Sequence, residues 1–405
     1  MKYIRTYETR DKFLADKDST SRGFRLAPTL YKYSEAGDHV QLELDDPRKH
    51  EGSTYMEIAL NSDIEFSFYI GNKSGDKQTT MTCTIDWGDG TVETKTITKD
   101  DKGFKLSHNY KAGSYKIELY DVERDYSVVG DTNSRISLIS PIDSVKRVVL
   151  SERVNSIEMS AFVGCISLTS VYISKGVTSI NHRVFRNCSS LVYANIPESV
   201  AIINNQAFGL CYSLRSINIP ESVAIIAGEA FYNCKSLKSI YIPKSVTTIS
   251  YRVFRNCSSL SSVYIPESVT SIGYGIFQGC SSLKSIYLPE GITSIEKEVF
   301  YGCSSLISVY IPEGITTINN STFYNCFSLK SIDIPEKVTS IGDSAFQGCS
   351  SLTSISSFNL TTPTLGGNIF LNLPTNGTLH IKPGATGYDA WLSKLPEGWR
   401  IAEDL

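Results

Sequence analysis

From about residue 139 onward, apolar side chains recur along the chain with a period of 23 residues. Cys165, Cys188, Cys211, Cys234, Cys257, Cys280, Cys303, Cys326 and Cys349 mark the period, with Phe162 to Phe346 three residues before each cysteine and Leu168 to Leu352 three after. A fixed period of this size predicts a solenoid, in which each unit is one strand plus a return segment and stacked neighbours share a core. Written from its best copies, the unit is A/V-F-x-x-C-x-S-L-x-S-I-x-I-P-E-x-V-T-S-I-x-x-x. The stretch Leu-x-Ser-Ile-x-Ile predicts the strand, with Ile240 and Ile242 inward and the residue between them outward. Pro243 and its equivalents Pro197, Pro220, Pro266, Pro289, Pro312 and Pro335 stop each strand, because proline brings no donor to a ladder. The following Val-x-x-Ile re-enters the core, and Phe and Cys close the return arc. Val148, Leu150, Val154 and Ile157 keep the same phase one unit earlier, with Ile139 and Ile142 in the Phe and Cys places, as an atypical first unit. Past Ser356 the phase degrades: Phe370 falls one residue late, and Thr378 to Pro383 reads as the final strand. Tyr388 to Leu392 reads as a short amphipathic helix, and Trp391 and Trp399 are placed to cover the open end.

The N-terminal part follows a different rhythm. Ile64 to Ile70, Met81 to Ile85 and Tyr115 to Leu119 alternate apolar and polar residues and predict strands. Between the second and third stands IDWGDGT, Ile85 to Thr91, whose Asp89-Gly90 pair predicts a hairpin with a tight I′ turn. Residues 1–50 are polar and charged, with an amphipathic stretch at Tyr7 to Leu14 and an alternating strand at Val40 to Leu44 that Asp45-Asp46-Pro47 ends. Val122 to Arg135 reads as a linker.

Segments such as SIYIPKSVTTISYRVFRNCSSL (Ser239 to Leu260) and SIGDSAFQGCSSL (Ser340 to Leu352) resemble BspA-like leucine-rich repeats, over about 136–383, and the C-terminal stretch resembles that family's cap. The resemblance implies a leucine-rich repeat solenoid. It also implies a surface protein of the kind found on anaerobic and gut bacteria and mucosal protists, binding host matrix, other cells or other bacteria without enzymatic activity. IDWGDGT together with SHNYKAGSYKIEL (Ser107 to Leu119) resembles the polycystic-kidney-disease (PKD) domain, which implies an immunoglobulin-like β-sandwich acting as spacer or adhesion module. The expected organisation is therefore mainly β: an attachment segment or arm at 1–50, a PKD-like sandwich at 51–125, the solenoid at 126–383 and a cap at 384–405.

Composition narrows the function. A net charge of −3 over 405 residues gives no electrostatic footprint for nucleic acid. No run of eighteen apolar residues encodes a membrane-spanning helix. The opening MKYIRTYETRDKFLADKDSTSRGF has charges where a secretory leader needs an apolar region, so we expect a leader absent from this chain or another route of delivery. Equivalent side chains of stacked turns run parallel about 4.7–4.9 Å apart, whereas a disulfide needs Cβ atoms about 3.5–4.5 Å apart and turned together. The cysteine ladder, which has no histidine or second cysteine at zinc spacing, therefore predicts buried free thiols in preference to oxidised pairs or metal, and Cys83 predicts core. Asp86 and Asp89 flank a glycine turn, where short carboxylates cap backbone; calcium ligation is the alternative. His39, His50, His108, His182 and His380 are scattered, and no catalytic or cofactor motif is present, so neither an enzyme nor a cofactor is expected.

With the inward positions assigned to packing, candidate functional residues lie outward. Tyr172, Asn195, Asn218, Tyr241, Tyr264, Tyr287, Tyr310 and Asp333 share the strand's outward place. Tyr241, Tyr264, Tyr287 and Tyr310, with Tyr172 apart from them, are the ligand-binding candidates, since tyrosines give stiff amphipathic contact area and can stack on sugars. Copying of surface residues in duplicated repeats, where aromatics also suit strands, is the competing reading. A serine column (Ser216, Ser239, Ser262, Ser285, Ser308, Ser331) and Lys238, Lys284 and Lys330 flank the tyrosines, and Glu198, Glu221, Glu267, Glu290, Glu313 and Glu336 form an acidic edge read as a solvated face. The sequence thus points to an adhesion protein at a cell surface or outside the cell, binding a host or bacterial protein or glycan. A phage or prophage tail-associated virion protein is the alternative, since the opening shows no secretory leader and MKYIRTYET resembles the openings of tail-associated proteins of gut Bacteroidetes phages.

Overall fold

The structure is a computed structural model and describes residues 54–72, 80–98, 104–120, 126–128, 139 and 141–405. The arm at 1–50, with its helical stretch and its strand at Val40 to Leu44, lies outside the described residues, as does most of the expected linker.

The N-terminal part is built of seven strands: β1 (Thr54–Leu60), β2 (Ile64–Asn72), β3 (Thr80–Asp86), β4 (Val92–Thr98), β5 (Phe104–Tyr110), β6 (Gly113–Tyr120) and β7 (Tyr126–Val128). β1, β6, β3 and β4 pair antiparallel in that order, and β5, β2 and β7 form a second sheet. Phe66, Phe104, Met81, Cys83, Ile85 and Trp87 are fully buried in the core. Across it, the Tyr110 hydroxyl donates to the Trp87 carbonyl oxygen at 2.8 Å and the Tyr110 ring lies 4.5 Å from that of Tyr115. β7 corrects the reading of Val122 to Arg135 as linker, since Ile70 to Asn72 pair with it. The hairpin between β3 and β4 exists, but its turn differs from the expected I′ form. Asp86 and Val92 are the last paired residues, Trp87 N–H donates to Thr91 O at 3.0 Å, and the left-handed residues are Gly88 (φ 80°) and Gly90 (φ 96°), with Asp89 between them. Gly88 is also required for space, because a Cβ there would stand 2.4 Å from Lys116 O.

The first solenoid turn contributes β8 (Val145–Val149) and β9 (Val154–Ile157). β1 pairs antiparallel with β8 on the side away from β6, and β7 pairs parallel with β9, so each N-terminal sheet runs on into the solenoid. Side chains reinforce the seam: Thr54 Oγ1 donates to Ser151 Oγ at 3.1 Å and accepts from Ser151 N–H at 3.0 Å, and the Arg147 guanidinium stands 5.6 Å over the Tyr55 ring.

Most solenoid turns then supply two short parallel strands. The expected one recurs at Ser170–Tyr172, Ser239–Tyr241, Ser262–Tyr264, Ser285–Tyr287, Ser308–Tyr310 and Ser331–Ile334. The Val-x-x-Ile segment forms a second short strand, and Ser179–Ile180, Ile202–Ile203, Ile225–Ile226, Thr248–Ile249 and Ser271–Ile272 join as one sheet. The return arc turns on two left-handed residues per unit. One column lies five residues before each cysteine and runs from Ser160 (φ 62°) to Ser344 (φ 55°); the other immediately precedes the cysteine and runs from Gly164 (φ 75°) to Gly348 (φ 78°). Each is a place where the chain changes direction, and Asn and Gly accept that backbone most readily.

Inside, the phenylalanines form an uninterrupted stack from Phe162 to Phe370, with neighbouring ring centroids 5.3 to 6.5 Å apart. The cysteines are free and buried, as expected. Beyond filling space, each thiol from Cys188 to Cys349 donates to the Phe carbonyl of the preceding turn, as Cys257 Sγ does to Phe231 O at 3.1 Å. Burial pushes the thiols far from ionisation, Cys257 and Cys349 to about 12 and Cys83 to about 11.

At the C-terminus Ser340 pairs with Thr364 and Ser354 with Thr378, one residue more than the period in each case, so the extra residue is taken up between Ser357 and Thr364. The expected last strand is Thr378–Ile381, but it is not the end of the sheet: Arg400–Glu403 pairs parallel with it. The helix Asp389–Leu392 seats Trp391 against Phe370 (centroids 5.9 Å apart), and the Trp391 and Trp399 indoles donate to Pro363 O and Pro374 O. Both tryptophans are buried, and Trp391 closes the stack.

Candidate functional site

The outward tyrosines stand on the first sheet because Ile240, Ile286, Ile332 and their equivalents point inward and successive side chains of a strand alternate faces. Parallel pairing then sets the register: Tyr241 opposite Tyr264 and Tyr287 opposite Tyr310. The rings stack, at 5.0 Å and 4° for the first pair and 5.2 Å and 11° for the second. The neighbouring strands Ser262–Tyr264 and Ser285–Tyr287 are not joined in one ladder, and the stacked rings fall into two pairs, or dimers.

Their exposure also differs. Tyr241, Tyr264 and Tyr310 are half-buried, whereas Tyr287 is only 5% exposed and is floor more than contact surface. Tyr172, at 36%, is exposed on the far N-terminal side, separated from the dimers by Asn195 and Asn218. Asn195 is turned onto backbone: its Nδ2 donates to Ile173 O at 2.9 Å and its Oδ1 accepts from Ile173 N–H.

The acidic edge is not simply a solvated face. Tyr241 Oη donates to Glu221 Oε1 at 3.4 Å and Tyr310 Oη to Glu290 Oε1 at 2.5 Å, each carboxylate coming from the turn before. Glu221 also accepts from Lys244 N–H at 3.1 Å. Burial, then the Glu221 carboxylate and the neighbouring Tyr264, raise the Tyr241 phenol above its ordinary value. The site therefore offers fixed hydroxyl and carboxylate groups, while the ring faces turned toward each other are closed.

Two further aromatic columns lie on the return arc. Tyr251 stacks on Tyr274 at 5.5 Å, with Arg252 and Lys297 within 4.9 and 5.4 Å of the Tyr274 ring, and Tyr301 stacks on Tyr324 at 4.7 Å. Aligning the variable places six and two residues before each cysteine would have found them. Tyr251 lies over Gly228, where a Cβ would meet its ring at 2.4 Å, and its hydroxyl accepts from Asn205 Nδ2 at 3.3 Å.

At the N-terminal hairpin Asp86 and Asp89 cap the turn, accepting from Gly88 N–H at 2.8 Å and Thr91 N–H at 2.9 Å. Asp89 Oδ2 also lies 2.7 Å from His108 Nε2, and the His108 ring stacks on Trp87 at 5.0 Å. Burial opposes ionisation of Asp89, but the hydrogen bonds from His108 and Thr91 prevail and hold its carboxyl below the ordinary value. Among the described residues no group of three or more His, Cys, Asp or Glu is gathered to hold a metal, and no helix is long and apolar enough to cross a membrane.

A family model described as the BspA type leucine rich repeat region matches residues 141–261 and 247–376, in 6 copies. No curated protein matches the chain. Among solved structures, the chain is similar to a leucine-rich repeat protein from Bacteroides ovatus at 20% identity, covering 81% of this chain and 99% of that one with a TM-score of 0.39. It is also similar to a leucine rich cell surface protein from Faecalibacterium prausnitzii (26% identity, 62% and 82% of the two chains, TM-score 0.36). The pneumococcal vaccine antigen PcpA is a third, at 18% identity over 69% and 83% of the two chains with a TM-score of 0.39.

Proposed function

Because the chain belongs to the BspA-type leucine-rich repeat family, we propose that it is a non-enzymatic binding protein of a cell surface, presenting the outer face of its first sheet to a protein or glycan on a host or neighbouring cell. The observation that carries this reading is the pair of in-register tyrosine dimers, two of whose hydroxyls are held by Glu221 and Glu290. Side chains fixed before binding lose little entropy on contact, and aromatic groups of that kind dominate interface energetics. The copying of repeats reproduces tyrosine and glutamate alike, so it is binding, not the presence of these residues, that separates the two readings. In this reading residues 1–50 attach the chain, the strands of 51–125 are a PKD-like spacer, 126–383 is the recognition solenoid and 384–405 its cap.

The test is a screen of immobilised matrix proteins and glycans against the full chain and a Tyr241→Ser, Tyr264→Ser, Tyr310→Ser variant. Loss of about tenfold or more in affinity for whatever the unaltered chain binds supports the face; equal binding by both removes it. Tyr172→Ser alone is expected to leave that affinity unchanged, because Tyr172 stands apart from the dimers. The virion alternative rests on the opening residues alone, and a genomic neighbourhood of tail genes would favour it.

A further inference from the structure

We propose that the outer face of the first sheet, from Lys238 to Glu336, takes an extended polypeptide lying along the solenoid axis, with acidic side chains on one edge and basic side chains on the other. The inference rests on the binding role proposed above and narrows its ligand to one class.

Across the strands the outward residues follow a recurring order. Exposed lysines stand at the start on alternate turns (Lys238, Lys284 and Lys330, with Ser261 and Ile307 between), serine and tyrosine make the floor up to Asp333, and after Lys244 in the first turn a glutamate follows the proline (Glu267, Glu290, Glu313 and Glu336). Parallel pairing in register carries that order from turn to turn. The face is therefore bordered by one basic and one acidic line, running side by side along the axis. Turns repeat at roughly 4.7–4.9 Å, so the lysines, on alternate turns, recur at about 10 Å and the glutamates at about 5 Å. Like charges at these separations repel one another. None of the three lysines makes an ion pair among the described residues; on the acidic line Glu336 is already paired with Lys382 at 3.0 Å, and a ligand of opposite charge on each side relieves the repulsion that is left.

The floor decides between ligand classes. A pyranose ring stacks on an open aromatic face, and here the inner faces of Tyr241 and Tyr264 and of Tyr287 and Tyr310 are closed by stacking while Tyr287 is 5% exposed, which leaves fewer such faces than four tyrosines imply. The floor also presents hydroxyl and carboxylate at Tyr241 with Glu221 and at Tyr310 with Glu290, which suit backbone amides. A polyanion meets the acidic line and a polycation the basic one, while a neutral glycan uses neither. An extended polypeptide sends successive side chains to opposite sides, the same side recurring every 6.4–6.8 Å or so, and so can set acids against lysines and bases against glutamates at once.

The probes are a synthetic peptide of alternating Glu and Lys, its block isomer of identical composition, and a panel of neutral oligosaccharides, each titrated against the full chain at low salt. The alternating peptide is expected to bind roughly tenfold tighter than the block isomer, the gap shrinking as salt screens the flanks. That gap is expected to close in Glu267→Gln, Glu290→Gln, Glu313→Gln and in Lys238→Gln, Lys284→Gln, Lys330→Gln, whose exposed or half-buried positions leave the circular dichroism spectrum unchanged. Equal binding of the two isomers, or a gap that survives both charge variants, overturns the inference. If the tyrosine variant loses its ligand while both charge variants keep it, or an oligosaccharide binds and the peptides do not, the polypeptide inference falls and the binding role stands. If the tyrosine variant loses nothing, the binding role itself falls.

Discussion

Leu210 occupies the left-handed place immediately before a cysteine, with φ at 64°, where every other unit carries Gly or Asn. A side chain with no local hydrogen bond to offer costs of order 1–2 kcal/mol in that conformation. Leu210→Asn is therefore expected to stabilise the chain by about 0.5–1 kcal/mol once lost apolar contact is set against relieved strain, read as a higher denaturant midpoint. Asn256→Val, at the same phase with φ 57°, is expected to lower it by a comparable or larger amount. The Asn-Cys and Gly-Cys pairs that mark this column are plain in the sequence, because a backbone requirement leaves a residue-type trace at one phase. The pairing of tyrosines into dimers left none. Tyr264 and Tyr287 are the same residue at the same phase, and only the interruption of the sheet between their strands separates them.

At the scale of the strand and the arc, the cysteines do more than fill space. Phe231 O accepts both from Cys234 N–H in its own turn and from the Cys257 thiol in the next, so the thiol links adjacent turns. Cys257→Ala is expected to cost about 1–3 kcal/mol, combining a small cavity with the lost donor, and Phe254→Ala about 3–5 kcal/mol because it breaks the ring stack; thermal or denaturant unfolding measures both. Since burial holds these thiols protonated, a thiol-specific label is expected to leave the folded chain unmodified at neutral pH and to react throughout once it is denatured. The N-terminal hairpin has a pH dependence of opposite origin. Asp89 ionises more readily folded than unfolded, so its contribution is complete above its ordinary value of 3.8 and is lost as pH falls from there through the lower folded value. Asp89→Asn is expected to flatten the acid limb of unfolding, followed through the fluorescence of Trp87 in the same strand connection.

For the whole molecule, the 23-residue period made the solenoid, its buried thiols and its aromatic closure legible before any coordinates, because repetition multiplies one packing solution. The junction was not legible. β1 and β8 are about 85 residues apart, run antiparallel where every other solenoid pair is parallel, and carry no shared motif; the strand inside the expected linker was hidden for the same reason. A junction made of backbone pairing predicts that a chain starting at residue 139 exposes the unpaired edges of β8 and β9 and self-associates. Light scattering checks this, and a monodisperse monomer with unchanged thermal stability would contradict it.

That seam has a mechanical reading. A module joined by a tether can swing, whereas one whose two sheets both continue into the first turn works as a rigid bracket. Whatever holds the N-terminal end therefore also sets the compass bearing of every outward side chain further along. Duplicating one unit would push the tip outward by roughly 5 Å, leaving both end fittings untouched, so reach can be tuned by gene rearrangement without redesigning the grip.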